Sequence, residues 1–199
     1  MSGAVSHPAT SVHPPRTRLF ALIAVVSVCT GVALSVTLVP PPESLFGAAL
    51  AALMILVAII DARTFLIPNE LNLCALLLGL AAAGQRSPLI AESVLMAAAR
   101  GAILAAAFFA LAEIYRRLRG RDGIGLGDVK LAAVAGVWLD WPFMPVAVEI
   151  AALSALAAYG IGRFILRLPL RADATLPFGL FFAPAIWVGW LLQNAFFDF

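Results

Sequence analysis

The chain has 199 residues, of which 63% are apolar and 12% charged, and its mean hydropathy is +1.01. Soluble domains are about 45–50% apolar and about 25% charged, so this composition excludes an ordinary soluble domain. It also excludes a disordered chain, which is polar and highly charged. A formal net charge of +2, with basic residues placed between apolar runs, argues against nucleic-acid binding. The runs are continuous rather than alternating, which predicts a polytopic helical membrane protein and not a β-barrel.

Seven apolar runs follow one another, which predicts an all-α fold with seven transmembrane helices. Residues 1–18 are aperiodic and are predicted to form a disordered cytoplasmic tail, with residues 19–199 as one membrane-embedded domain. The third run is short. We expect this span either to include Phe65–Ile67, which would lengthen it, or to be a thin and tilted span. The predicted spans are Leu19–Val39, Leu45–Ile60, Leu71–Ala83, Leu89–Leu118, Val129–Leu139, Val146–Leu168 and Leu176–Phe197.

The basic residues are distributed unequally between the two sides of the predicted bundle. With the N-terminus in the cytoplasm, eleven of the 13 Lys and Arg residues lie on the cytoplasmic side. Only Arg86 falls on the outer side, and Arg100 lies within a span. Cytoplasmic loops carry an excess of Lys and Arg, so this asymmetry favours both the seven spans and a cytoplasmic N-terminus.

Asp61 directly follows the apolar run Ala51–Ile60, at the predicted cytoplasmic end of the second span. The C-terminal end of a helix carries partial negative charge and disfavours an anion there by about 0.3–1 kcal/mol. A solvated helix end and a functional carboxylate therefore both stay open for this residue.

Asp128 follows Gly123, Gly125 and Gly127 at the predicted cytoplasmic start of the fifth span. A carboxylate at a helix N-terminus is favourable, so a structural cap explains Asp128 by itself. Three glycines within five residues go beyond a cap, since glycine permits positive φ and the close approach of another chain. The pattern favours an open bed for an extended peptide. A phosphate-binding loop is the alternative, but the spacing GxxxxGK[ST] is missing.

The predicted topology brings Asp61 and Asp128 to the same membrane boundary. Two carboxyl groups held close together share one proton, because both cannot ionise freely. The charged group can take a proton from a water that attacks an amide carbonyl, while the protonated group donates to the carbonyl oxygen. Such a pair titrates as a unit, so neither residue receives a fixed role.

Three motifs in this order resemble those of the type IV prepilin leader peptidases, which are GxGD membrane aspartic proteases. The resemblance covers about residues 20–195. It implies that Asp61 and Asp128 are catalytic, and that the enzyme removes basic leaders from pilin and pseudopilin precursors at the cytoplasmic face of the bacterial inner membrane. The motifs are Asp61 with Ile67-Pro68-Asn69, then Gly125-Leu-Gly127-Asp128-Val-Lys130-Leu131, then Leu176-Pro177-Phe178-Gly179.

Residues around the two aspartates are expected to bind the substrate or to shape the loops. They are Gly125, Gly127, Lys130, Pro177, Phe178 and Gly179. Two alternatives stay open: Lys130 either tunes the carboxyl pair or marks the inner interface, and Pro177-Phe178-Gly179 either helps to seat a peptide or simply starts the last helix. The expected partners are the prepilin or pseudopilin substrate and the lipid bilayer.

The chain departs from the long members of that family, which carry paired CxxC zinc ligands associated with N-methylation. Cys29 and Cys74 lie inside apolar runs without a CxxC. We therefore expect no metal and no cofactor, and the sequence gives no support for methyl transfer. The chain resembles the short peptidase-only form, which is often tied to Flp-type pili. Leu180 stands where the family often has Pro, and Asp140 where it often has Gly. Neither departure is expected to touch the aspartates.

Two further charges lie inside the fourth span. Arg100 is expected to meet Glu92 or Glu149 near the outer face, or to extend its head to the interface. Glu113 is expected to pair with the arginines three and four positions later.

Other functions stay open at this point. Presenilin-type and signal-peptide-peptidase-type GxGD proteases pair the motif with Pro-Ala-Leu, whereas this chain has Leu-Pro-Phe-Gly. A proton-coupled transporter would use the aspartates as a relay near the bilayer midplane and would predict internal repeats, which are not evident here. A catalytically inactive scaffold is disfavoured because both aspartates are intact.

Overall fold

The computed structural model describes residues 15–86, 88–120, 123–165 and 177–197. Within these ranges the regular elements are seven α-helices and one π-helical turn, which confirms the predicted all-α fold. Most of the predicted N-terminal tail and the residues that follow the π-helical turn lie outside the described residues. The elements are α1 Pro15–Leu38, α2 Glu43–Thr64, α3 Asn69–Gln85, α4 Ile90–Arg119, α5 Leu126–Trp138, α6 Phe143–Gly160, its π-helical continuation Ile161–Ile165, and α7 Phe178–Phe196.

Several of these helices have the length and apolarity that a bilayer requires. Four meet both criteria, namely α2, α4, α6 extended to Phe164, and α7. Leu22–Leu38 of α1 is a shorter apolar helix. The chain is therefore a multi-pass membrane protein. Helix α5 has 13 residues, about 20 Å of length at 1.5 Å per residue, so it is shorter than the hydrocarbon core.

The link between α2 and α3 differs from the prediction. Helix α2 continues to Thr64, so Asp61 lies one turn before its end rather than at its end. Phe65–Ile67 is not helical, and the expectation that the third span borrows these residues is wrong. Proline disfavours helical backbone in the residue before it, so Pro68 ends the link and serves as the N-cap of α3.

Close crossings through small residues hold the helices together. A Cβ atom at Gly136 of α5 would lie 2.6 Å from the carbonyl oxygen of Arg100 in α4. Gly47 of α2 lies directly against the ring of Trp190 in α7, where no side chain could fit without a shift. Small residues at such crossings let backbones approach, which is how helices associate where lipid removes most of the hydrophobic driving force.

Helix α7 packs against α2, α5 and α6 and lies at the centre of the apolar core. Its Phe182 and Trp190 are fully buried, together with Leu50 and Met54 of α2 and Leu131 of α5. The helices that carry Asp61 and Asp128 are thus both fixed against α7.

The charges of α4 have local and distant partners. Glu113 accepts from Arg116 and from Nε of Arg117, the latter at 2.7 Å, which confirms the predicted pairing. Arg100 instead pairs with Asp140 at 3.1 Å, so the prediction of a glutamate partner is wrong. The crossing at Gly136 carries Arg100 toward the end of α5, where Asp140 begins the following turn.

Candidate active site

An open cavity of about 930 Å³ lies where α2 ends and α5 begins. Both Asp61 and Asp128 line it, although 67 positions separate them in the sequence. Pro177 and Phe178, at the start of α7, form another part of its wall. The cavity therefore joins residues from all three motifs at one end of the bundle.

Asp61 is only 5% exposed and is held by another helix. Its Oδ2 accepts the backbone N–H of Leu180 at 2.9 Å. Leu180 is the third residue of α7, and the first N–H groups of a helix have no partner within it. The partial positive charge at that N-terminus favours an anion. Asp61 sits in the unfavourable last turns of its own helix and is compensated by the first turn of α7.

The same hydrogen bond corrects an expectation about Leu180. This residue was predicted not to touch the aspartates, but its backbone donates directly to one of them. The prediction was wrong because it considered only the side chain. A proline at this position would have no N–H and could not make the bond.

Gly179 provides the space that the Asp61 carboxyl occupies. A Cβ atom at Gly179 would lie 2.8 Å from Oδ2 of Asp61 and 2.9 Å from Cδ1 of Ile67. Pro177 is the N-cap of α7, and the ring of Phe178 lies 5.3 Å from that of Phe182. The Pro-Phe-Gly segment therefore starts a helix and seats the carboxyl on it.

Asp128 is the third residue of α5 and caps its own helix. Its Oδ2 accepts the backbone N–H of Gly125, the N-cap residue, at 3.3 Å. Gly125 has no side chain, so this bond is only one half of a capping box. Asp128 thus has a structural capping role, but from the third position of the helix rather than as the N-cap. The carboxyl also lines the cavity, which means that the structural and the functional interpretations are compatible.

The environment of Asp128 favours its protonated form. Asp128 lies in the first turn of α5, ahead of the apolar part of that helix. Burial raises its pKa to about 6, the Gly125 hydrogen bond opposes this, and the charge of Asp61 adds to the rise. Two carboxyl groups that influence each other in this way can hold one proton between them.

The glycines before Asp128 leave room for neighbouring atoms, and their backbone conformation is not what requires glycine. Gly125 has an extended backbone with φ of −73°, so the positive φ that glycine permits is not what this position requires. A Cβ atom at Gly127 would lie 3.3 Å from Cβ of Ile67. Ile67 thus packs between Gly127, which precedes Asp128, and Gly179, which lies against Asp61.

Lys130 connects α5 to α3 beside the aspartates. Its Nζ donates to Oδ1 of Asn69 at 2.7 Å, and both residues line the cavity. Asn69 is the first residue of α3. The bond therefore ties the first turn of α5, which carries Asp128, to the first turn of α3.

Sequence reasoning missed Phe65. It closes α2 as a C-cap with φ of 54° and ψ of 28°, a left-handed conformation that costs a residue with a side chain about 1–2 kcal/mol. Its side chain also lines the cavity. The one available signal was that a helix ending shortly before Pro68 needs a C-cap, and an apolar residue gives no hint of that role.

The structure offers no obvious metal centre in the part of the chain that it describes. No group of three or more His, Cys, Asp or Glu side chains there could hold a metal ion. Cys29 and Cys74 are free thiols on the exposed surface.

A sequence model of the Type IV leader peptidase family matches residues 48–161. The Prepilin leader peptidase/N-methyltransferase of Aeromonas salmonicida (strain A449) is 30% identical over 174 residues, 86% of this chain and 57% of the relative. That of Burkholderia pseudomallei (strain K96243) is 34% identical over 145 residues, 72% of this chain and 45% of the relative. Leader peptidase HopD of Escherichia coli is 36% identical over 142 residues, 70% of this chain and 88% of the relative. The chain spans about 57% of the length of the first relatives, and no solved structure gives a significant match.

Proposed function

The chain belongs to the type IV leader peptidase family, and on that premise we propose that it is an aspartic endopeptidase. Its substrates are type IV prepilins or pseudopilins, from which it removes the leader peptide. It acts at the cytoplasmic face of the bacterial inner membrane, and residues 19–199 form the peptidase domain. One observation carries the proposal, namely that Asp61 and Asp128 line the same open cavity.

The chemistry follows from one proton shared between the two carboxyl groups. The ionised carboxyl takes a proton from a water molecule, and the resulting hydroxide attacks the carbonyl carbon of the scissile peptide. The protonated carboxyl donates to the carbonyl oxygen, which gives a tetrahedral intermediate. Transfer of a proton to the amide nitrogen then breaks the C–N bond. The pKa of about 6 for Asp128 is consistent with a protonated carboxyl in this pair.

The cavity suits an extended peptide because it is open and lies between the end of α2 and the starts of α3, α5 and α7. Its wall combines Asp61 and Asp128 with the glycine segment and with Phe178. The apolar helix of a prepilin would lie between the transmembrane helices, with its leader in the cytoplasm. The excess of basic residues predicted on this side supports that orientation.

The proposal concerns leader cleavage. Leader peptidase HopD, of which this chain covers 88%, is named for the peptidase alone. Family membership also favours leader cleavage over a presenilin-type protease and over a proton-coupled transporter.

The test is co-expression with a prepilin and detection of leader loss by gel mobility. Asp61→Asn and Asp128→Asn each keep the size of the side chain and remove its acid–base function, so we expect each to abolish processing. Glu92→Gln, an exposed carboxyl that lies outside this cavity, serves as the matched control and should process normally. Full processing by either Asn variant, with equal amounts of protein in the membrane, would refute the assignment.

A further inference from the structure

Three exposed apolar side chains lie at the mouth of the cavity, and we call them the apolar rim: Phe65, Leu66 and Leu126. Their exposed fractions are 56%, 69% and 67%. Phe65 and Leu66 follow the helix of Asp61, and Leu126 lies two residues before Asp128. Each aspartate therefore has an exposed apolar group beside it.

The backbone at Phe65 is strained for a side chain that the fold hardly uses. Glycine and asparagine adopt its left-handed conformation more easily than phenylalanine does. A ring that stabilised the protein by packing would be buried, but this ring is more than half exposed. The ring instead forms part of the cavity wall. The ring is therefore placed to contact a ligand that enters the cavity.

The distance between Phe65 and Asp61 determines which part of a substrate could contact the ring. The N–H of Phe65 donates to the carbonyl oxygen of Asp61 at 2.9 Å, so the two residues are one helical turn apart. One turn rises about 5.4 Å, and an extended peptide rises about 3.3 Å per residue. A substrate residue within about two positions of the scissile bond can therefore place its side chain on the rim.

The cavity is also lined by polar and charged residues. Glu70 lines it together with the two aspartates, while Lys130 is bonded to Asn69. The cavity wall thus combines hydrogen-bonding and acidic groups with the apolar rim. We infer that the apolar rim determines specificity by binding an apolar side chain of the substrate next to the scissile bond. This inference rests on the proposed leader peptidase function and adds a specificity determinant to it.

The test uses the full chain in phospholipid nanodiscs and one purified prepilin precursor. In separate versions of this precursor, each of the two residues on either side of the scissile bond is replaced by Ser. The enzyme variants are Phe65→Ala and Phe65→Gly. The matched control is Phe109→Ala, which removes an equally exposed ring from α4, away from the cavity. The measurements are kcat, KM and the midpoint of thermal unfolding.

We expect Phe65→Ala to raise KM about tenfold, because loss of one apolar contact costs about tenfold or more. Its kcat should stay within about twofold of the wild type. Phe109→Ala should change neither KM nor kcat. At one substrate position, Ser should weaken cleavage by the wild type about tenfold and have no further effect in Phe65→Ala. Phe65→Gly should raise the unfolding midpoint while KM rises, because the strain at that residue is relieved.

Three results would overturn the inference: an unchanged KM, multiplicative effects of the substrate and enzyme changes, or a lower unfolding midpoint in Phe65→Gly. The last result would mean that the ring serves the fold or anchors the protein in lipid. If the wild type cleaves none of the precursors, the proposed function fails. If it cleaves them and the Phe65 variants behave like the wild type, only the specificity inference fails.

Discussion

Leu180 and Asp61 are 119 positions apart in the chain, yet the backbone N–H of Leu180 donates to Oδ2 of Asp61 at 2.9 Å. The bond joins the first turn of α7 to the last turns of α2. It explains how an anion is accommodated near the C-terminal end of a helix, where the helix dipole opposes it. The position of this carboxyl therefore depends on where α7 begins.

Leu180→Pro removes this backbone donor, and it also removes a leucine side chain that packs against the core. The N–H of the third residue of a helix has no partner within the helix, and proline is tolerated in the first turn. A hydrogen bond to a charged group is worth about 1.5–3 kcal/mol. Since the N-terminus of α7 still faces Asp61, we expect a partial loss, with kcat about three- to tenfold lower.

Leu180→Ala is the matched control for that variant, because it shortens the side chain and keeps the N–H. It should retain nearly full kcat in a prepilin cleavage assay. Equal losses in the Pro and Ala variants would show that the leucine side chain, rather than its backbone donor, is what matters.

Gly179→Ala tests whether the Asp61 carboxyl needs the space beside Gly179, and it leaves the backbone hydrogen-bond donors in place. The added Cβ would lie 2.8 Å from Oδ2 and 2.9 Å from Cγ of Asp61, which is closer than such atoms approach, so the carboxyl must move. A displacement of about 1 Å in a catalytic group can cost about a hundredfold. We expect cleavage to fall by about that factor while the protein still reaches the membrane.

Gly160→Ala is a useful comparison for Gly179→Ala, since a Cβ atom at Gly160 would meet no atom within 4 Å. Cleavage by the Gly160 variant should be unchanged. Wild-type kcat in Gly179→Ala would mean that Asp61 does not need its observed position.

The number of helices could be predicted from the sequence because the lengths of apolar runs decide it. Glu113 and its arginines were also predictable, since partners three and four positions apart meet on any helix. The pair Arg100–Asp140 was not predictable. Helices that are apolar on all sides give no periodic signal for their rotation, so the sequence does not show which faces meet.

The site itself was predictable in part. The ends of the apolar runs indicated that Asp61 and Asp128 would lie on one side, and they line one cavity. The donor to Asp61 is a backbone N–H, which carries no residue identity and so leaves no trace in a motif. The left-handed Phe65 was missed for a related reason, because residue types that favour this conformation are absent there.

The pH dependence of cleavage should follow the protonation of the carboxyl pair. Burial raises the pKa of Asp128 to about 6, above its ordinary value. In the proposed mechanism one carboxyl must keep its proton, so kcat/KM should fall as the pH rises through about 6. The decline should approach tenfold per pH unit above that value, because each unit lowers the protonated fraction by this factor.

Folding stability should change in the same direction. A carboxyl whose pKa is raised in the folded state stabilises the fold below its unfolded pKa, and this contribution is lost as the pH rises through about 6. In Asp128→Asn, the unfolding midpoint should therefore depend less on pH between about 4 and 7 than in the wild type.

The kinetic prediction has its own contradicting outcome. A wild-type kcat/KM that stays flat from about pH 5 to 8 on cleavage of one precursor would contradict the shared proton.

Lys130→Met removes the cation that joins α5 to α3 and keeps a side chain of similar length. The lost bond, from Nζ to Oδ1 of Asn69 at 2.7 Å, fixes the first turn of α5 that carries Asp128. We expect kcat to fall about three- to tenfold with a smaller change in KM. A hydrogen bond to a charged group is worth about 1.5–3 kcal/mol, and solvent around this exposed pair lowers that value. Asn69→Ala should have a similar effect, and the double variant should be no worse than either single one. Lys130→Arg, which retains donors, should recover part of the rate. Independent, multiplicative losses in the double variant would show that the two residues act separately and that the bond does not position Asp128.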